Sequence, residues 1–375
     1  MVTTTDVLLR ILRNALWQEP IPAVLIPSRN LKQLLALAKE QTVTGLVCST
    51  LMDSRNAITL DRRDAAELYA TYQDLQNRNK LVNDELLSLS HFLNRHAIRY
   101  AVIKGQTIAA HYPEPLARTS GDIDFYVHPE DFDQACAVIE KEYLLAPLPT
   151  ITSTEEDQHI PFSHNDVHYE MHFCLLKFAS RKSQHYFDSL VNQYLANADI
   201  HPSTVFPSPH PFSNVKVLPP TLNLLYTFLH LYHHLLELGC GLRQFIDLAV
   251  LLHTQPIDHA ELRTYLKALD MERAFDAILQ ILHTILGLPR DTMPTAHHIK
   301  AKTQKSITKI IFLHGNFGFY RQKYATRSGW RYNLDATKRK LRHYRLFYSL
   351  SPREIRCSLI YSIPQKVLAA LKRQN

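Results

Sequence analysis

The chain has little glycine and little cysteine. Nine glycines among 375 residues leave few places for the tight turns of an all-β fold, so much helix is expected. The five cysteines (Cys48, Cys136, Cys174, Cys240 and Cys357) are scattered, odd in number and without Cys-x-x-Cys spacing. That excludes a disulfide framework and a cysteine-based zinc module, and buried free thiols in a reducing cytoplasm are expected instead. No apolar run reaches the length needed to cross a bilayer. Met1-Val-Thr-Thr-Thr-Asp6 leads into an amphipathic pattern, not a basic start with an apolar block, so no signal peptide is expected. Internal repeats and low-complexity tracts are also missing.

An apolar share of 46% and a charged share of 21% belong to a globular chain, and the length suffices for two or three well-buried domains. Acids are scarce at one end. From Lys300 to Asn375 there are eighteen Lys or Arg and only two acids, Asp335 and Glu354, a net +16. With +7 overall, the preceding residues carry −9. Aromatic residues interleave with the basic ones: Phe317, Phe319, Tyr320, Tyr324, Trp330, Tyr332, Tyr344, Phe347 and Tyr348. Such a mixture suits a polyanion or an anionic membrane surface. It equally suits a cationic segment docked on the acidic body of the same chain.

Hydrophobic periodicity divides the chain into four expected regions. Residues 1–96 read as an N-terminal helical region, with a long third helix from about Asp61 to His96. Residues 97–215 read as a core built on a small mixed β-sheet, residues 216–299 as a helical domain, and residues 300–375 as the basic, aromatic-rich C-terminal region. Within the core, Arg99 to Ile103 is a strand, Gln106 to His111 a short helix, and Asp122 to Val127 a second strand. Pro129 opens a further helix. Two β-prone runs flank Asn165-Asp166, which suggests a hairpin. The proline-rich residues 201–220 read as a linker. The expected fold class is therefore α+β, a small mixed sheet flanked by N-terminal and C-terminal helical regions.

Two carboxylates draw attention. Asp122 and Asp124 are spaced by two on one strand, so they share a face while Ile123, Phe125 and Val127 face the core. Neighbouring carboxylates repel, and a divalent cation is the usual compensation. An exposed strand end is the plain alternative for an isolated Asp-x-Asp. Here a Lys104-Gly105 turn precedes the pair and a third acid, Glu170, follows on a later strand, sharing its face with His168 and His172. His230, His233 and His234 share a helix face, without a local acid or cysteine to complete a zinc set. Arg243 and Asp247 have the spacing of a helix-surface ion pair.

In these motifs the chain resembles the DNA polymerase β-like nucleotidyltransferase superfamily, and within it a family of uncharacterised bacterial nucleotidyltransferases. The residues that carry the resemblance are Lys104-Gly105, Tyr112-Pro113, Arg118, Gly121-Asp122-Ile123-Asp124, Glu170 with His172, Gly241-Leu242-Arg243-Gln244 with Asp247, and the Gly315 to Gly318 segment. Gln106 stands where superfamily members commonly have Ser or Gly. The resemblance implies Mg²⁺-dependent transfer of a nucleoside monophosphate from a nucleoside triphosphate, ATP among them, to an acceptor hydroxyl with loss of pyrophosphate. Asp122, Asp124 and Glu170 would hold two Mg²⁺ ions, with Mn²⁺ as a substitute. Lys104, Gly105, Gln106, Arg118, Ser120, His172 and Arg243 would contact nucleotide. In particular, the Gly105 turn would cradle phosphate with backbone N–H groups, and Lys104 or Arg118 would neutralise the leaving pyrophosphate. Arg118 could instead pair with an acid near the strand, Ser120 could simply form the turn, and His172 could orient Glu170.

Three functions are compatible with these residues: a cytoplasmic nucleotidyltransferase of unknown acceptor, a non-catalytic nucleotide-sensing or polyanion- or membrane-binding adaptor on the same fold, and a toxin-like enzyme acting on RNA ends.

Overall fold

The computed structural model describes residues 3–21, 24–25, 28–56, 58–148, 158–197, 206, 209–237, 239–294, 299–314 and 340–364. The Gly315 to Gly318 segment and the aromatic residues from Phe317 to Tyr332 lie outside them. No described helix is long and apolar enough to cross a membrane. The five cysteines are free; Cys48 and Cys240 are buried and the other three half-buried.

The N-terminal region is helical as its periodicity predicts: α1 (Thr4–Trp17), α2 (Ser28–Glu40), α3 (Thr44–Met52) and α4 (Arg62–Arg95). Thr3 starts α1 through a reciprocal capping box with Asp6, and Asp61 caps α4 by accepting from the Asp64 N–H. Two short strands, β1 (Val24–Leu25) and β2 (Ile58–Thr59), pair in parallel beside them.

The central sheet holds β3 (Tyr100–Ile103), β4 (Ile123–Val127), β5 (His159–His164) and β6 (Val167–His172) in the order β3-β4-β6-β5. β4 and β6 run parallel and the outer pairs antiparallel, so the sheet is mixed and the fold α+β. The five-residue helix α5 (Gly105–Ala109) follows β3, and α6 (Phe132–Glu142) follows β4 after a single turn opened by Pro129. β5 and β6 form the expected hairpin. Asn165 and Asp166 both take positive φ, 47° and 60°, as a two-residue turn matched to strand twist requires. Glu85 of α4 clasps this turn, accepting from Tyr169 Oη at 2.6 Å and Asn165 Nδ2 at 2.8 Å.

Strand alternation divides the interior. Tyr100, Val102, Ile123, Phe125, Val127, Val167, Tyr169 and Met171 meet α4 and α6 in one apolar cluster. Ala101, Ile103 and Tyr126, from the opposite face, join a larger cluster. That larger core runs through α1 to α3 and through α7 (Arg181–Asn197), α8 (Pro220–Glu237), α9 (Leu242–Thr254), α10 (His259–Leu269), α11 (Glu272–Leu286) and α12 (Ala301–His314). N-terminal and C-terminal helices therefore share one core, tied also by Arg13 Nε to the Ile285 carbonyl and Trp17 Nε1 to that of Leu286.

One reading needs correction. The segment read as a linker contributes to the sheet: Val102 N–H donates to the Lys216 carbonyl at 2.7 Å, Val217 bridges Val102, and Val215 and Val217 are buried in the sheet core. Proline content hid a three-residue edge segment too short to show a period. In the basic region, the described residues dock on the body. Tyr344, Phe347 and Ile355 enter the larger core, and Lys340 Nζ meets Glu237 Oε1 at 2.6 Å.

Candidate active site

The sheet face turned toward the helices carries the polar residues. β4 places Asp124 there between Ile123 and Phe125, both buried on the other side. β6 places Glu170 and His172 there by the same alternation. Asp124 and Glu170 are register partners on the two parallel strands, which puts them one strand spacing apart, about 4.8 Å. Asp122 stands at the mouth of β4, two residues before Asp124. All three carboxylates line one cavity of about 470 Å³, a size suited to a nucleotide-sized ligand. α8 supplies Thr227, His230, His233 and His234 to its opposite wall, and α9 supplies Arg243, Gln244 and Asp247.

The charges are arranged unevenly. Lys104 Nζ lies 2.9 Å from Asp124 Oδ1, and His172 Nε2 lies 3.0 Å from the same oxygen. Burial alone would raise the Asp124 pKa, but the Lys104 ammonium and the His172 N–H outweigh it and hold the carboxyl well below its ordinary range. Burial disfavours charge on Lys104 and on His172 too; Asp124 overcomes this in both, aided for His172 by Glu170, and both pKa values are raised. Asp122 has the opposite fate. Partial burial and then the negative charges of Asp124 and Glu170 push its pKa up. The acid set thus carries negative charge that Lys104 and His172 only partly offset.

Lys104 adopts φ 58°, ψ −150°, a region that L-residues enter at a cost of roughly 1–3 kcal/mol. Gly105 follows at φ 53°. This kink ends β3 and turns the Lys104 side chain back over the sheet face toward Asp124. α5 is a single short turn, so any phosphate cradle here rests on the Gly105 turn itself.

The expected nucleotide-contacting residues separate into two groups. Lys104, Gly105, Arg118, His172 and Arg243 line the cavity. Gln106 does not: it is buried against α4, its amide donating to Asn83 Oδ1 at 2.6 Å. Ser120 is half-buried in the loop before Gly121, and the cavity wall passes through Gly121 instead. The spacing of Arg243 and Asp247 suggested a surface pair, and the structure differs. Asp247 is buried and binds Arg118 through two bonds, Nε at 2.7 Å and Nη2 at 2.8 Å, while Tyr112 Oη donates to it at 2.6 Å. Arg243 Nη1 instead donates to the Thr119 carbonyl at 3.1 Å. This network fastens the loop before β4 onto α9.

One buried carboxylate therefore faces the buried Arg118 guanidinium and the half-buried one of Arg243. Burial and then the neighbouring Arg118 charge lower the Arg243 pKa. Arg118 Nη1 and Arg243 Nε are buried with no hydrogen-bond partner among the described residues. Unsatisfied cationic donors on the wall of a cavity fit an anionic ligand, and the three carboxylates, with only oxygen donors, fit Mg²⁺. The residues present thus suit both the metal and the triphosphate that the resemblance implies.

His230 Nε2 and His234 Nε2 lie 3.1 Å apart. Burial is the main cause that takes His230 well below its ordinary pKa and His234 down to about 3, so both are neutral lining groups at pH 7. Sequence reasoning missed His159, which lines the cavity and is the register partner of His172 across the hairpin. The signal was available: a two-residue turn at Asn165-Asp166 fixes 164 opposite 167, and hence 159 opposite 172. It also missed the Arg118–Asp247 pair, whose members lie 129 residues apart, because no local spacing encodes it.

No curated protein and no solved structure was found to match the chain. A family model does, over residues 27–287, its description being "Uncharacterised nucleotidyltransferase". That span takes in the four-stranded sheet, the acid set and the α8–α9 wall, and on it the chain belongs to this family of uncharacterised nucleotidyltransferases.

Proposed function

We propose that the chain is a nucleotidyltransferase that joins a nucleoside monophosphate, taken from a nucleoside triphosphate, to an acceptor hydroxyl and releases pyrophosphate. The observation that carries this reading is the meeting of Asp122, Asp124 and Glu170 on one wall of a cavity whose other wall holds Arg118 and Arg243. The three carboxylates would hold Mg²⁺, which supplies charge neutralisation at the triphosphate and a more acidic acceptor hydroxyl. The remaining roles belong to the protein's own groups. Arg118, held in place by Asp247, and Arg243 present unpaired N–H donors to phosphate oxygens. Lys104 offers an ammonium beside the acid set, placed to offset charge that develops on the leaving pyrophosphate. His172 fixes the orientation of Asp124 and stands 3.5 Å from Glu170 Oε2. The reaction is then a matter of positioning and electrostatics, with two carboxylates on adjacent strands as a rigid base.

The test uses nucleoside triphosphates labelled at the α-phosphate, Mg²⁺ and a cell extract as the source of acceptor. Label should pass to an extract component with the parent protein and not with Asp122→Asn/Asp124→Asn of confirmed fold. Equal labelling by both proteins would overturn the assignment.

A second reading is a nucleotide-sensing adaptor. It draws on the Lys104–Asp124 contact, which neutralises one carboxylate without any metal. That reading expects nucleotide binding in the parent with no label transfer to any extract. We further propose a cytoplasmic location and contact of the basic C-terminal region with a polyanion. Binding that does not weaken as salt rises would rule the latter out.

A further inference from the structure

The same sheet face holds a second set of donors that differs in chemistry from the three acids. His159 Nε2 lies 3.5 Å from Glu170 Oε1, and His172 Nε2 lies 3.5 Å from Glu170 Oε2. One ligand atom from each of the three residues falls within 4.8 Å of both others. Ligands around a tetrahedral ion with bonds of about 2.0–2.1 Å stand about 3.3 Å apart, so three donor atoms within 4.8 Å of one another need to close by no more than about 1.5 Å to hold such an ion. The backbone makes the arrangement rigid. His159 and His172 face each other across the hairpin, and Glu170 is two residues from His172 on the same strand and face. Asp124 Oδ1, 3.0 Å from His172 Nε2, stands beside them as a fourth donor.

We infer that His159, Glu170 and His172 form a transition-metal site, suited to a Zn²⁺-class ion and not to Mg²⁺. Two imidazoles and a carboxylate are a common donor set for first-row transition ions, whereas Mg²⁺ favours oxygen ligands and retains its water. The site lines the cavity, with His172 buried and His159 and Glu170 half-buried, and Glu170 is common to it and to the oxygen set. An ion held by the histidines withdraws Glu170 from the magnesium ligands. Zinc therefore antagonises the Mg²⁺-dependent reaction at the site itself. Only this antagonism rests on the proposed function. The binding site stands on the three side chains alone.

The test is a calorimetric zinc titration of tag-free protein, stripped with chelator and held in millimolar Mg²⁺. His159→Ala is the informative variant, because His159 belongs to the histidine set and not to the acid set. His91→Ala, at an exposed position, controls for zinc held by the many other histidines, and thermal melts confirm both folds. One equivalent of zinc should bind the parent and the His91→Ala protein. His159→Ala should weaken it by at least about tenfold, the low end of what even an outer-shell partner of a metal is worth. Equal titration of parent and His159→Ala, or equal loss in the two variants, overturns the inference. Nucleoside triphosphate binding with Mg²⁺ is measured on the same samples. If it persists in the parent while zinc fails to bind, the metal site is wrong and the proposed function stands.

Discussion

At the scale of single residues, the two aspartates of β4 have opposite energetic roles. Asp124 is held below its ordinary pKa of 3.8, so it contributes stability that is present above that value and lost as pH falls through its folded pKa. Asp122 is raised above 3.8, so it binds its proton more tightly in the folded chain. Stability then falls as pH climbs from 3.8 through that raised value. Without divalent metal at pH 7, Asp124→Asn should cost about 3 kcal/mol, since it leaves the Lys104 ammonium largely buried without its partner. Asp122→Asn should instead stabilise slightly, by about 0.5 kcal/mol or less, because Asp122 is exposed and solvent screens its repulsion. Urea unfolding in chelator measures both. Equal destabilisation by the two substitutions would show that the acid set is not strained as described. Asymmetry of this kind, one acid anchored and one repelled, is expected of a site kept for binding and not for stability.

At the scale of elements, the site depends on contacts between segments far apart in sequence. α3 crosses the turn at Pro115–Ala117 so closely that a Cβ at Gly45 would stand 2.1 Å from the Ala117 carbonyl oxygen. Backbone on both sides cannot yield without moving the loop that leads to Arg118. Gly45→Ala should therefore destabilise by about 2 kcal/mol or more, although alanine favours helix over glycine by about 1 kcal/mol. A midpoint unchanged or raised in urea would contradict the close approach. Asp247→Asn should cost about 3–5 kcal/mol, because it leaves Arg118 as a buried cation without its paired counter-charge. Denaturation curves again decide, and a loss under 1 kcal/mol would mean that the network does not fasten the loop to α9.

The same elements show what the sequence could and could not disclose. Local signals were legible: the alternation in β4, the extent of α4, the turn at Asn165-Asp166, and the glycine after Lys104. Each depends on residues within a few positions of one another. The pairings that shape the cavity wall were not legible, because they are long-range. Arg243 and Asp247 have the right spacing for each other, yet Arg118 competes for Asp247 with two parallel bonds, and burial makes that geometry decisive. His159 was recoverable from hairpin register alone. Val215 and Val217 were hidden in a proline-rich stretch that offers no period.

At the scale of the whole molecule, the helices on either side of the sheet build a single large core and the sheet with α4 and α6 builds a second. The acid face lies where the two meet. A polar face at such a boundary is enclosed by rigid elements on both sides, which suits a site that must keep charges in fixed positions. The basic C-terminal residues follow a related logic. Those at 340–358 are docked through Tyr344, Phe347, Ile355 and the Lys340–Glu237 pair, and Glu237 lies 3.6 Å from His233 on the cavity wall.

The central claim is that Asp122, Asp124 and Glu170 act together to bind a metal-bound nucleoside triphosphate. The most direct measurement is the isotherm of a nucleoside triphosphate titrated with and without Mg²⁺, for the parent and for Asp122→Asn/Asp124→Asn. Binding that requires Mg²⁺ in the parent and drops by at least about a hundredfold in the double variant, as losing about 3 kcal/mol of contact implies, is the predicted result. Equal binding by the two proteins, or binding indifferent to Mg²⁺, would contradict it.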